Sequence, residues 1–196
     1  EKSISDKPLS LYAATKKSNE LIANSYFKIY GFNSISLRFF TVYGPYGRPD
    51  MAPMIFAKSI LNHKKIDIFN FGKMIRDFTY IDDVTETIFR CCYKPAIRSE
   101  NFDPKKPDPS QSKAPFLILN VGNNNPVKIL DFINLLEKNL GEKAIRNFRE
   151  IQPGDVEITF SDSSKINDWI NFSPKTNIED GVRLFAQWFK EFYNLG

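Results

Sequence analysis

Leu37-Arg38-Phe39-Phe40-Thr41-Val42-Tyr43-Gly44-Pro45-Tyr46-Gly47-Arg48-Pro49-Asp50 is the stretch on which the fold turns. A short apolar run from Ile35 to Phe40 passes into a loop dense in glycine and proline, the pattern of a strand that ends at a turn. Upstream, Tyr12-Ala13-Ala14-Thr15-Lys16 lies in a segment that reads as a helix over about 10–30. Leu11, Thr15, Ser18, Ile22, Ser25 and Ile29 recur there at helical spacing, with Ser10 placed to cap and Gly31 to end it. A helix feeding a strand feeding a loop is one unit of an α/β fold.

Working outward, the pattern predicts a helix from about Pro53 to Asn62, a strand at Ile66-Asp67-Ile68-Phe69 and a turn from Gly72. Phe78-Thr79-Tyr80-Ile81 precedes Asp82-Asp83, whose carboxylates are read as caps of a helix reaching about Tyr93. Residues 95–115 carry five prolines among polar residues and form a long loop. Phe116 to Val121 is a strand, Gly122 to Asn125 a turn, and Pro126 to Leu140 a helix closed by Gly141. A short helix is expected from Ser163 to Trp169. The last helix has Thr176 as cap with Glu179 three residues on, a capping box. Ile178, Val182, Phe185, Trp188, Phe189 and Phe192 form its buried stripe, and Trp169 and Trp188 are both assigned to the core.

The 196 residues are 42% hydrophobic and 26% charged, which fits a soluble domain with a real core. The net charge of +4 is too small, and its lysines and arginines too scattered, for a nucleic-acid surface. Cys91 and Cys92 are adjacent, a placement that strains a mutual disulfide. His63 is the single histidine, read as favouring a helix C-terminus, so no zinc site is expected. No segment, including Glu1 to Asp6, has the apolar length of a membrane span or leader, and a reducing cytoplasm fits best.

Tyr12 and Lys16, four apart on a helix, point to one side. An ammonium within ~4–6 Å of a phenol favours the phenolate, a base for an alcohol proton as hydride leaves the same carbon. By spacing alone the pair reads as a solvated helix face. Arg38, in an apolar run, reads as a structural arginine. Thr41 and Arg48 stand at the mouth of a strand-to-loop turn, where a hydroxyl and a two-pronged guanidinium can bind a carboxylate; Arg48 can equally brace its own loop.

Taken together, five segments resemble the extended short-chain dehydrogenase/reductase family, and within it the nucleotide-sugar epimerases, closest to UDP-glucuronate 4-epimerases. They are Ser10 to Lys16, Leu37 to Asp50, Gly72-Lys73-Met74-Ile75-Arg76-Asp77-Phe78-Thr79-Tyr80-Ile81-Asp82-Asp83, Asn120-Val121-Gly122-Asn123 and Gln152-Pro153-Gly154-Asp155-Val156. The resemblance implies that Tyr12 is the catalytic base, and that Lys16 orients it and binds the nicotinamide ribose of NAD. It also implies a 4-keto sugar intermediate that rotates between proton and hydride transfers. Thr41 and Arg48 are then expected to read the sugar acid, Thr41 standing where galactose-type enzymes usually have Asn. Arg76 becomes a diphosphate ligand rather than a surface ion pair. Phe69 lies at the expected uracil site or is plain core. Gln152 stands where many galactose epimerases carry a phosphate-gripping Arg, and Asp155 holds a ribose hydroxyl or caps its turn.

The implied fold class is α/β: the incomplete C-terminal part of a Rossmann-type domain plus its smaller α/β substrate-binding lobe. Residues 1–44 are assigned to the first and 45–196 mainly to the second, with about 78–94 and 116–125 as segments returning to the Rossmann unit. The sequence holds no Gly-x-x-Gly-x-x-Gly or Gly-x-Gly-x-x-Gly turn for a pyrophosphate, and the family's upstream Ser or Thr is not in it. These residues alone are therefore expected neither to bind NAD nor to turn over. The expected partner is a second copy, through the helix bearing Tyr12, with Tyr26, Phe27, Ile29, Tyr30 and Phe32 left partly bare at its end. The alternatives are a dehydratase or decarboxylase of the same family, or a non-catalytic truncated interaction module.

Overall fold

The computed structural model describes residues 7–100, 102–106 and 108–194, with the backbone alone at Lys28. The sequence reading of Glu1–Asp6 lies outside these residues. Helix α1 (Leu11–Tyr30) starts at Ser10, whose side chain accepts from Ala13 N, and ends at Gly31 in the left-handed conformation. It feeds β1 (Ser34–Phe39), which runs parallel to β5 (Phe116–Val121) from Ser34↔Phe116 to Phe39↔Val121. Every residue of β5 is buried, as expected of a parallel strand covered on both faces.

After a one-residue break the chain continues as β2 (Thr41–Tyr43), a strand that sequence reading had placed in the loop. It pairs in parallel with β4 (Ile75–Tyr80), which pairs antiparallel with β6 (Pro126–Lys128). Helix α2 (Ala52–Leu61) leads to β3 (Lys65–Ile68), parallel to β7 (Ile145–Phe148), and a 3-10 turn (Phe69–Gly72) joins β3 to β4. The remaining helices are α3 (Ile81–Tyr93), α4 (Ile129–Leu140), α5 (Ser164–Ile170) and α6 (Ile178–Phe192). The strands form two pairs and one three-stranded sheet among the described residues.

Two cores result. The larger gathers α2, α4 and α6 against β2–β4, with Phe78 and Phe132 stacked at 4.3 Å and the Tyr43 ring edge-on to both. The smaller packs Leu117 and Leu119 with Ile35, Leu37, Cys91, Ala96, Ile166 and Ile170. Burial pushes the Tyr43 phenol well above its ordinary value, helped by Tyr80 and by the acidic Asp83, Glu179 and Asp180, and its hydroxyl has no hydrogen-bond partner among the described residues.

Several local expectations are corrected. Pro126–Lys128 is strand, not helix, because β4 recruits it and Ile129 N donates to Met74 O. Asp82 and Asp83 are not side-chain caps: β4 runs straight into α3, and Asp83 instead accepts from the backbone N–H groups of Lys175 and Thr176. The α6 cap is Asn177 rather than Thr176, its side chain accepting from Asp180 N at 2.8 Å. The α1 residues picked by spacing face solvent, Leu11, Ile22 and Ile29 being exposed, while Ala13, Ala14, Lys17, Glu20, Asn24 and Phe27 turn inward. Trp169 and Trp188 are half-buried rather than core, and Phe192 is exposed, since the end of α6 packs side-on against Tyr46.

Gly181 shows how tightly α6 is seated. A Cβ there meets the Tyr43 hydroxyl at 1.9 Å and its ring carbon at 2.8 Å. Gly181→Ala is therefore expected to destabilise the fold by about 1–3 kcal/mol through overpacking, read from the midpoint of denaturant unfolding; an unchanged midpoint would show that the ring has room to move.

Candidate functional site

The site residues fall into two groups. The first lies where α1 faces the loop after β2. Tyr12 is exposed near the start of α1, and the Lys16 ammonium is over its ring, 5.2 Å from the centroid. The helix is held to β1 by a two-pronged ion pair: Arg38 Nε and Nη2 donate to the two Glu20 oxygens at 2.6 and 2.9 Å. Arg38 is thus a structural arginine, as its apolar setting suggested.

The loop Gly44–Asp50 lines a cavity of about 260 Å³ with Phe40, Val42, Tyr43, Gly44, Gly47, Arg48, Met51, Pro53 and Met54 around it. Arg48 is its one charged residue, and Thr41 is not part of the wall. Arg48 donates from Nε and Nη2 to the Asp50 carboxylate at 3.1 and 2.6 Å, so it braces its own loop here. Asp50 raises the Arg48 value, first by hydrogen bonding and then by charge, and Tyr12 adds to it across the gap between helix and loop. The loop is also fastened from outside, since Tyr46, at φ 58°, packs its ring 5.3 Å from Trp188.

The second group surrounds β4. Arg76 Nη2 donates to Asp155 Oδ1 at 2.9 Å, and Nη1 to the carbonyls of Ile75 and Glu157 at 3.0 and 3.1 Å. Asp155 also accepts from Val156 N, so it serves its own turn as well as Arg76. Beside it, Asn70 donates to Glu157 Oε1, which brings the 3-10 turn against the same segment. Phe69 and Gln152 share a groove of about 620 Å³ with Asp67, Phe71, Phe148, Arg149 and Glu150. Sequence reading had missed Phe71 and Phe148. Phe148 belongs to a strand that no alternation announced, and Phe71 is turned out by the left-handed backbone at Asn70 and Phe71. Parallel pairing of Ile68 with Phe148 brings them together.

Asp77 was also missed. Next to Arg76 on β4, it is fully buried and accepts four hydrogen bonds: from Asn123 N, Asn124 N, Ser161 N and Ser161 Oγ, at 2.9, 3.1, 3.0 and 2.5 Å. Among the described residues no cluster of three or more His, Cys, Asp or Glu can hold a metal ion, and no helix is long and apolar enough to cross a membrane. Cys91 is buried and Cys92 exposed, and both are free thiols.

Residues 1–101 match the NAD dependent epimerase/dehydratase family, and the chain belongs to that family. It is 48% identical over 188 residues to protein CapI of Staphylococcus aureus, covering 96% of this chain and 56% of that protein. A probable UDP-glucuronate 4-epimerase of Rhizobium meliloti (strain 1021) is 43% identical over 189 residues, covering 96% and 55%. The crystal structure of UDP-glucuronic acid 4-epimerase from Bacillus cereus, in complex with UDP-glucuronic acid and NAD, superposes with a TM-score of 0.79 at 32% identity, covering 97% of this chain and 57% of that one. The chain thus spans about half the length of the relatives it matches.

The Glu20–Arg38 pair gives α1 a pH signature. Burial by itself pushes the Glu20 carboxyl up, but the hydrogen bonds and charge of Arg38, with Lys17, outweigh it and hold Glu20 below its ordinary value of 4.5. A depressed carboxylate stabilises fully above its unfolded value, and the gain is lost as pH falls through the folded one. Glu20→Gln is therefore expected to cost about 1 kcal/mol near neutrality and progressively less below about pH 4.5. Denaturant titrations at pH 7 and pH 3.5 check this; an equal difference at both would refute it.

Proposed function

We propose that this chain supplies the sugar-reading loop, the catalytic tyrosine and the nucleotide grip of an NAD-dependent UDP-sugar 4-epimerase that interconverts UDP-glucuronate and UDP-galacturonate. The observation that carries the reading is the meeting of Tyr12 and Lys16 on α1 with the Arg48 loop. The Lys16 ammonium over the Tyr12 ring and the electrostatic influence of Tyr12 on Arg48 support reading them as base, cation and carboxylate reader of one site. Support comes from the identity with the Rhizobium meliloti protein and from the likeness to the Bacillus cereus enzyme.

In this reading Tyr12 takes the proton of the sugar C4 hydroxyl and returns it after the 4-keto sugar has turned over, while Lys16 orients the tyrosine. NAD, when bound, accepts and returns the hydride. The solvent-open Tyr12–Lys16 face fits the nicotinamide ribose. Among the described residues the helix-flanking glycines Gly31 and Gly141, at positive φ, end helices rather than open them, whereas pyrophosphate binding uses a helix N-terminus. Arg76 and Asp155 grip the diphosphate and ribose, and Phe69 with Gln152 lines the base groove. Thr41 and Arg48 read C6, Arg48 exchanging Asp50 for the substrate carboxylate.

We assign residues 1–44, with about 78–94 and 116–125, to the cofactor-side unit, because Ile35, Leu37, Cys91, Leu117 and Leu119 share one small core. α5 joins them, an addition to the sequence-based division. The outward face of α1, with Leu11, Ile22, Tyr26, Ile29 and Tyr30 exposed, is assigned to a second copy of the chain. Sedimentation at ~100 μM is expected to show a dimer or larger species, and a clean monomer would contradict this assignment.

Two substitutions test the chemistry in the active enzyme. Tyr12→Phe keeps the ring but removes the proton acceptor, so kcat is expected to fall by about 10²–10⁴-fold with UDP-sugar affinity nearly unchanged. Arg48→Ala is expected to lower kcat/KM for UDP-glucuronate about 30–150-fold more than for UDP-glucose, since only the acid loses a charge-assisted bond. Equal losses for both sugars would return Arg48 to the role of a loop brace.

A further inference from the structure

The segment that carries Asp155 is an arm whose backbone meets β4 at a single bridge. Residues 155–161 lie beside β4 through one bridge, Ile75↔Ile158, with Ile75 N donating to Glu157 O and Thr159 N to Ile75 O. A single parallel bridge is a weak register lock, and a one-residue slip turns every side chain to the opposite face. Such a slip would carry Asp155 away from Arg76.

The lock lies at the arm's far end. Ser161 gives both its N–H and its hydroxyl to Asp77, while Asp77 N donates to Thr159 Oγ1. Asp77 takes its other two bonds from the amides of Asn123 and Asn124, so the arm is tied at once to β4 and to the loop after β5. Gly122 allows the approach: a Cβ there meets Ser161 Oγ at 2.3 Å. Neighbouring strand residues point to opposite faces, so Asp77 grips the arm from inside while Arg76 meets Asp155 outside.

We propose that Asp77, acting through Ser161, is a positioning residue for the nucleotide-diphosphate grip, setting the register at which Asp155 orients Arg76. This rests on the reading of Arg76 as a diphosphate ligand. Four bonds converge on a carboxylate that never reaches the groove, and the chain they fix is the one that delivers Asp155.

The test is a double-mutant cycle on the NAD-loaded enzyme, with UDP as the probe and its dissociation constant measured by calorimetry. Arg76→Ala is expected to weaken UDP by on the order of a hundredfold and Ser161→Ala by on the order of tenfold. Ser161→Ala is expected to melt within a few degrees of the parent, unlike Asp77→Asn, which leaves donors facing an amide. If Ser161 works through Arg76, the double variant binds UDP no more weakly than Arg76→Ala alone. Additive losses, or a Ser161→Ala protein that binds UDP like the parent, overturn the positioning role. If Arg76→Ala itself binds UDP normally, the diphosphate reading fails instead, and with it the target of the positioning.

Discussion

A carboxylate removed from water costs several kcal/mol unless donors replace its hydration. Asp77 meets that constraint with four donors drawn from two segments distant in sequence. The backbone conformations at 122–124 and at 159–161 are thereby fixed together, because moving either one strips the charge of partners. The three-stranded sheet, the turn after β5 and the Asp155 arm meet at this point. Hydrophobic packing builds the two cores, but this buried polar junction fixes how the chain between them is threaded.

Glu137 does similar work where α4 meets β7. Burial pushes its carboxyl up, but Lys143, Arg146 and Ala144 N together hold it below the ordinary range. The contacts tie the end of α4 to β7 and so support the Phe148 side of the groove. Asp67, on β3, accepts from Asn147 and Arg149 across the paired strand. The groove is therefore a seam between two strands whose register is held by polar contacts on both sides.

Much of this was legible in the sequence wherever a local rule sufficed. Ser10 and Gly31 bound α1 because capping and left-handed termination depend on residues close by. The β5 run read as a strand because six successive residues are suited to burial on both faces. The misses were tertiary. Thr176 is a good cap by type, yet its backbone is held by Asp83 and Asn123, far away in sequence, and the helix starts after Asn177. β2, β6 and β7 are three or four residues long, too short for alternation to show, and exist because a partner strand recruits them. Of the candidate site, Tyr12, Lys16 and Arg76 were picked out by motif, and the structure joins Arg76 to Asp155 and sets Phe69 and Gln152 in one groove. Asp77 was quoted within a motif but given no task, since nothing in Arg-Asp-Phe announces which donors will surround the acid.

The Tyr46–Trp188 contact has a consequence for the ribosome. The loop that carries Arg48 and the helix that fastens it lie far apart in the sequence. At synthesis rates of ~5–20 residues per second, the helix follows the loop by on the order of ten seconds. Throughout that interval Tyr46 has been made but lacks the Trp188 and Phe192 rings it packs on. The loop that carries Arg48 is thus fastened by residues made well after it, so its outer wall is settled only when α6 joins the large core.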